Sequence, residues 1–141
     1  MAGTGTRVTC PVGCLSRACG SPDGAGAGNK ASLTGGATAA PRVILAALGV
    51  DVRELEDAGD ANWCCGGGGG VALIKRAQPL RDAAFAIKKK QIEASGAAIV
   101  YTSCSGCRKT LDHGGKAAGW NTSVGSLLEL VADNLAARAA A

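Results

Sequence analysis

The pattern of apolar and polar positions along the chain predicts strands alternating with helices. Arg7-Val8-Thr9 reads as a short first strand that runs into Cys10, Cys14 and Cys19. From Gly20 to Gly36 the chain is rich in Gly, Ser and Ala and nearly empty of large apolar groups, which predicts a flexible loop. Pro41 suits the first turn of a helix. Val43, Ile44, Leu45 and Leu48 give that helix its apolar faces, and Gly49 stands where a helix commonly ends. Val50 to Leu55 alternates as a half-buried strand does. A long helix is predicted from about Pro79 to Ser95, closed by Gly96. Leu80, Ala84 and Ile87 form one apolar stripe on it, and Phe85 and Ile92, seven apart, form another. Ala97 to Tyr101 is a continuous apolar run, the mark of a buried central strand, and Arg108 to Leu111 looks like the start of a further helix. Ser123 to Ala140 carries Val124, Leu127, Leu128, Val131 and Leu135 at helical spacing, with Ser123 placed to cap it.

Strands that alternate with helices imply an α/β fold, a small parallel sheet with flanking helices joined by right-handed crossovers. Cysteine-bearing loops then sit at the carboxyl ends of strands, where open α/β sheets place their sites. The chain has 141 residues, enough for one modest domain over 1–141 with a single core and no disulfide staples. Ala and Gly supply much of the 47 % apolar content and aromatics only 3 %, so that core is built from small side chains.

The net charge of +4 is mild, and the densest basic block is Lys88-Lys89-Lys90, which reads as a solvated helix face. With so few aromatics to stack on bases, nucleic-acid binding is not expected. No stretch approaches the roughly 20 apolar residues of a membrane span, and no charged and then apolar leader opens the chain. A soluble, cytoplasmic protein is expected. The seven cysteines are odd in number and clustered, unlike a secreted disulfide framework, and in a reducing compartment such clusters favour metal or redox chemistry.

Those cysteines carry the chemistry. Asn62-Trp63-Cys64-Cys65 is followed by five glycines, Gly66 to Gly70, and Cys104-Ser105-Gly106-Cys107 lies downstream. Thiolates are soft ligands for zinc and for iron–sulfur clusters, and Cys-x-x-Cys lets one tight turn present two sulfurs to one centre. Adjacent cysteines on extended backbone point to opposite sides, so gripping one centre needs a distorted turn, which glycine permits. The glycine run also lets backbone N–H groups approach the sulfurs and stabilise negative charge. For Cys104 and Cys107 taken alone, a structural zinc site and a thioredoxin-like dithiol are the rival readings.

Together Asn62 to Gly70, Gln91 to Ala97, Ile99 to Cys107 and Ser126 to Ala132 resemble the cysteine-rich CCG domain. That domain occurs in the disulfide-reducing subunit of heterodisulfide reductase and in related iron–sulfur oxidoreductases. The resemblance implies a [4Fe–4S] cluster, non-cubane in the best-understood members, bound by cysteines and used in electron transfer or disulfide cleavage. It also implies one further cysteine upstream, after a strand. Cys14 fits that position best, giving the ligand set Cys14, Cys64, Cys65, Cys104 and Cys107, with Cys10 and Cys19 as competing thiols. The gap from Cys14 to Cys64 is longer than the family's usual spacing, as though Ser21 to Thr34 were inserted. Members generally carry two such motifs and draw electrons from ferredoxin-like clusters, whereas this chain has one. An electron-transfer partner protein or subunit is therefore implied, with a place at the periphery of a membrane complex among the options, and a disulfide or thiol as substrate; complete catalysis by this chain alone is not expected.

The alternative is a non-catalytic zinc-stabilised module that docks to a larger complex, in which metal binding is folding energy and nothing else. Other residues are candidates of less weight. His113, the only histidine, is a ligand or proton donor near Cys107 or simply a polar loop residue. Lys75, Arg76, Arg108 and Lys109 are placed to balance an anionic cluster or to be solvated at helix ends. Trp63 is placed to shield the site or to pack, and Asp112 has no visible partner.

Overall fold

The computed structural model describes residues 7–9, 36–68 and 70–140. Cys10, Cys14 and Cys19 and the predicted loop as far as residue 35 lie outside the described residues. Four strands form one parallel sheet: β1 (Arg7–Thr9), β2 (Asp51–Val52), β3 (Ile99–Thr102) and β4 (Ser123–Ser126), in the order β2-β1-β3-β4. Val8 pairs with Val52 on one side and Ile99 on the other, and β3 pairs with β4 from Ile99 opposite Ser123 to Thr102 opposite Ser126. Four helices flank the sheet among the described residues: α1 (Gly36–Ala47), α2 (Gln78–Ser95), α3 (Ser105–Ala117) and α4 (Leu127–Ala139). The α/β architecture expected from the alternating pattern is the one observed.

Successive side chains on a strand face opposite ways, so β3 feeds two separate cores. Tyr101 and Ile99 join Val8, Leu45 of α1 and Leu127 and Leu130 of α4 on one face. Val100 joins Ile92 of α2, Leu111 of α3, Leu55, Cys65 and Cys107 on the other. The helices thus lie in two layers, α1 with α4 and α2 with α3. The cysteines belong to the α2–α3 side.

Several boundaries depart from expectation. Helix α1 starts at Gly36 and carries Pro41 in its interior, because the alanine-rich stretch ahead of the proline favours helix. Its inward face is Pro41 and Leu45, continued by half-buried Leu48 just past its end, while Val43 and Ile44 are exposed. It closes as predicted, with Gly49 at φ +70°. Strand β2 is only Asp51–Val52, extended by the Arg53 N–H donating to the Val8 carbonyl at 2.7 Å. On α2 Leu80 and Ile87 of the predicted Leu80, Ala84 and Ile87 stripe are exposed, and the inward face is Lys88, Gln91 and Ile92, with Phe85 half-buried beside them. Gly96 ends this helix in the left-handed region, as expected. The largest revision is that Ser123 to Ser126 is a strand. Its four residues pair along all of β3, and Gly125 leaves room for the Tyr101 ring, which a Cβ would approach to 2.6 Å. Ser126, not Ser123, caps α4: its Oγ accepts from the Glu129 N–H at 3.4 Å.

Candidate functional site

Cys104 leaves the carboxyl end of β3 directly into a helix start. Its N–H donates to Thr102 Oγ1 at 3.2 Å, and its sulfur serves as the N-cap of α3, accepting from the Cys107 N–H at 3.4 Å. The helix begins at Ser105, earlier than the predicted Arg108, and this sets Cys107 in the first turn, buried against the α2–α3 core. A sulfur at the N-cap thus takes up one of the orphan backbone donors of the first helical turn.

The Cys64-Cys65 loop reaches the same point from the other direction. Cys64 is half-buried and Cys65 is buried. Gly66 holds φ +90° and donates its N–H to Cys64 Sγ at 3.4 Å. A Cβ at Gly66 would lie 2.7 Å from the Arg81 carbonyl oxygen of α2, and one at Gly67 would lie 2.0 Å from Thr110 Oγ1 of α3. Two glycines thus let the loop wedge between the helices. Its tip brings Cys65 Sγ to 3.4 Å from Cys107 Sγ, forty-two residues on in the chain.

The two buried sulfurs divide their proton unequally. The thiol of Cys107 hydrogen bonds to Cys65, and together with the Gly67 backbone and Cys64 this outweighs burial and lowers the Cys65 thiol to about 6. Cys107 is pushed well up, by its hydrogen-bond contact with Cys65 and by burial. None of the basic residues singled out in the sequence causes these shifts. Lys75, Arg76 and Lys109 are exposed, and Arg108 pairs with Glu129 at 2.5 Å.

The approach to the cysteine pair is held by a polar network that the sequence pattern did not mark. Lys88 is buried to 1 % exposure, contrary to its expected place on a solvated face. Its Nζ donates to Asn62 Oδ1 at 2.7 Å and to Gln91 Oε1 at 3.1 Å. Gln91 Nε2 donates to Asp57 Oδ2 at 2.7 Å, and the same oxygen accepts from Trp63 Nε1 at 2.8 Å. One signal was present: Lys88 falls three residues after Phe85 and four before Ile92, on the face those two apolar residues define.

His113 is not brought to the cysteines. It is exposed and lines a cavity of about 320 Å³ between α2 and α3, with Arg81, Asp82, Phe85 and Thr110; none of the four described cysteines lines it. Asp112 pairs with Lys116 at 2.8 Å, and Trp63 is about half exposed, so it packs only in part over the loop.

Among the described residues no three His, Cys, Asp or Glu side chains converge as ligands of a single ion. A polynuclear centre asks for something different, thiolates distributed around several irons. Four reduced cysteines in two loops that meet sulfur to sulfur, with backbone N–H groups aimed at them, have the donor chemistry for such a group. A family model for the cysteine-rich CCG domain matches residues 13–112. No curated protein matches the chain.

Proposed function

Because this chain belongs to the cysteine-rich CCG domain family, typical of heterodisulfide reductase-like iron–sulfur proteins, we propose that it binds a [4Fe–4S] cluster and works in electron transfer or thiol–disulfide redox chemistry. The observation that carries this reading is the meeting of Cys65 and Cys107 at 3.4 Å from two distant loops. Cys64, Cys65, Cys104 and Cys107 are the ligands within the described residues, and Cys14 supplies the upstream thiolate. When bound, the cluster supplies one-electron steps to a partner or to a substrate sulfur.

The residues of the chain prepare for that group. Ionised Cys65 needs no proton removed near neutral pH before it binds metal. The Gly66 and Cys107 N–H groups point at Cys64 and Cys104 and moderate the charge that thiolates bring. Burial of Cys65 and Cys107 keeps water from one side. The whole chain, 1–141, acts as one such domain and relies on a partner subunit for electrons. No helix among the described residues is long and apolar enough to cross a membrane. The second reading, a non-catalytic zinc-stabilised module, would use the same thiolates as four ligands of one ion.

Anaerobic reconstitution of single-serine variants tests the ligand set. Cys65→Ser is expected to lose the broad visible absorption that the wild type acquires, and an unchanged spectrum would remove Cys65 from the set. In the amino-terminal series Cys14→Ser should lose it, while Cys10→Ser and Cys19→Ser keep it. Loss at Cys10 or Cys19 with retention at Cys14 would move the upstream ligand.

A further inference from the structure

Nothing in a run of three lysines on an amphipathic helix calls for one of them to be buried, and ordering and desolvating an ammonium is costly unless its hydrogen bonds are met. Lys88 is fully enclosed and spends those bonds on Asn62 and on Gln91 of its own helix. Asn62 is itself buried, at 5 % exposure. The neighbouring residue, Trp63, is tied to the same helix by a second route, through Asp57 to Gln91. Consecutive residues 62 and 63 are therefore both pinned to α2, and the next two residues are Cys64 and Cys65.

We propose that Lys88 is a positioning residue for the cysteine pair: its buried ammonium, through Asn62 and Gln91, fixes the backbone from which Cys64 and Cys65 project toward Cys104 and Cys107. This rests on the reading of those cysteines as cluster ligands, but its action is on the polypeptide and exists before any metal binds. The glycines after the pair impose little direction of their own, so the register of the loop is set from its amino-terminal side. Gly66 and Gly67 then only have to pass between Arg81 and Thr110. Lys89 and Lys90 have no share in this. Lys89 pairs with Glu93 at 2.7 Å on the surface and Lys90 is exposed.

The test is carried out on the full chain, reduced and free of metal, by timing iodoacetamide modification of each cysteine by peptide mass. Lys88→Met is expected to speed modification of Cys64 and Cys65 by about tenfold or more, as the local opening becomes easier, with Cys104 changed less than about twofold. Asn62→Leu should produce the same selective pattern. The double variant should fall well short of the product of the two single effects, since both act through one bond. Lys89→Met should change nothing. A Lys88→Met protein that melts cooperatively yet keeps wild-type rates at Cys64 and Cys65 overturns the proposal, and so does an equal rise at all cysteines, which marks general destabilisation. If Lys88→Met does not fold, Asn62→Leu decides by the same pattern. Reconstitution of the same samples with iron and sulfide separates the two claims: selective exposure without any wild-type cluster leaves Lys88 its role and removes the redox reading.

Discussion

An alanine at position 66 would carry φ +90° and set its Cβ 2.7 Å from a backbone oxygen that cannot step aside, Arg81 O. At Gly70 the backbone is also left-handed, φ +78°, but nothing lies within 4 Å. Gly70→Ala is therefore expected to cost about 1 kcal/mol, from backbone strain alone, and Gly66→Ala roughly 2–3 kcal/mol or more. Urea midpoints of the reduced, metal-free proteins check this; equal losses would mean the close approach to α2 does not exist. The need for glycine after the cysteine pair was legible in the sequence, because adjacent cysteines that serve one site demand unusual backbone. Which glycines mattered was not, since the neighbours Arg81 and Thr110 come from two helices further along. Lys88 was misread for the same reason. Its partner Asn62 lies twenty-six residues away, and the one local sign was its place on the face that Phe85 and Ile92 define.

At the scale of elements, the strand β4 and the helix behind it were read as one long helix. Val124, Leu127, Leu128 and Val131 do fall at helical spacing, and a Ser-Val-Gly-Ser segment has little strand propensity of its own. Pairing with β3 overrides this, with Gly125 required by the Tyr101 ring. The consequence is testable at two serines. Ser126→Ala removes the cap of α4 and is expected to cost about 1 kcal/mol, whereas exposed Ser123→Ala should stay within about 0.5 kcal/mol. The reverse order by denaturant unfolding would restore a helix start at Ser123. Gly125→Val should cost roughly 1–3 kcal/mol by overpacking against Tyr101. By contrast α2 and β3 were legible, one from its closing Gly96 and the other from its unbroken apolar run. Both signals are local.

At the scale of the whole molecule, the buried cysteines among the described residues lie on one side of the sheet. Cys65 and Cys107 are part of the core shared by α2 and α3, while α1 and α4 pack on the opposite face around Leu45, Leu127 and Leu130. Loading the site is thus expected to slow amide exchange by about tenfold or more in residues 62–68 and in the first turn of α3, and to leave α4 nearly unchanged. Uniform slowing across both faces would indicate that metal binding drives folding of the entire chain. The α/β class followed from the alternation of strands and helices, and the meeting of the two cysteine loops from the spacing of the thiols; only Cys104 stands directly at a strand end, because Cys64 follows the turn Gly59–Ala61 well beyond Val52. The division into two cores did not, because it depends on which way each β3 residue faces. The most direct test of the central claim is the iron, zinc and acid-labile sulfide content of the anaerobically purified and reconstituted chain, read with its visible spectrum. About four irons and four sulfides per chain, with broad visible absorption, is the expected result. One zinc and no sulfide, persisting through reconstitution, would contradict the account.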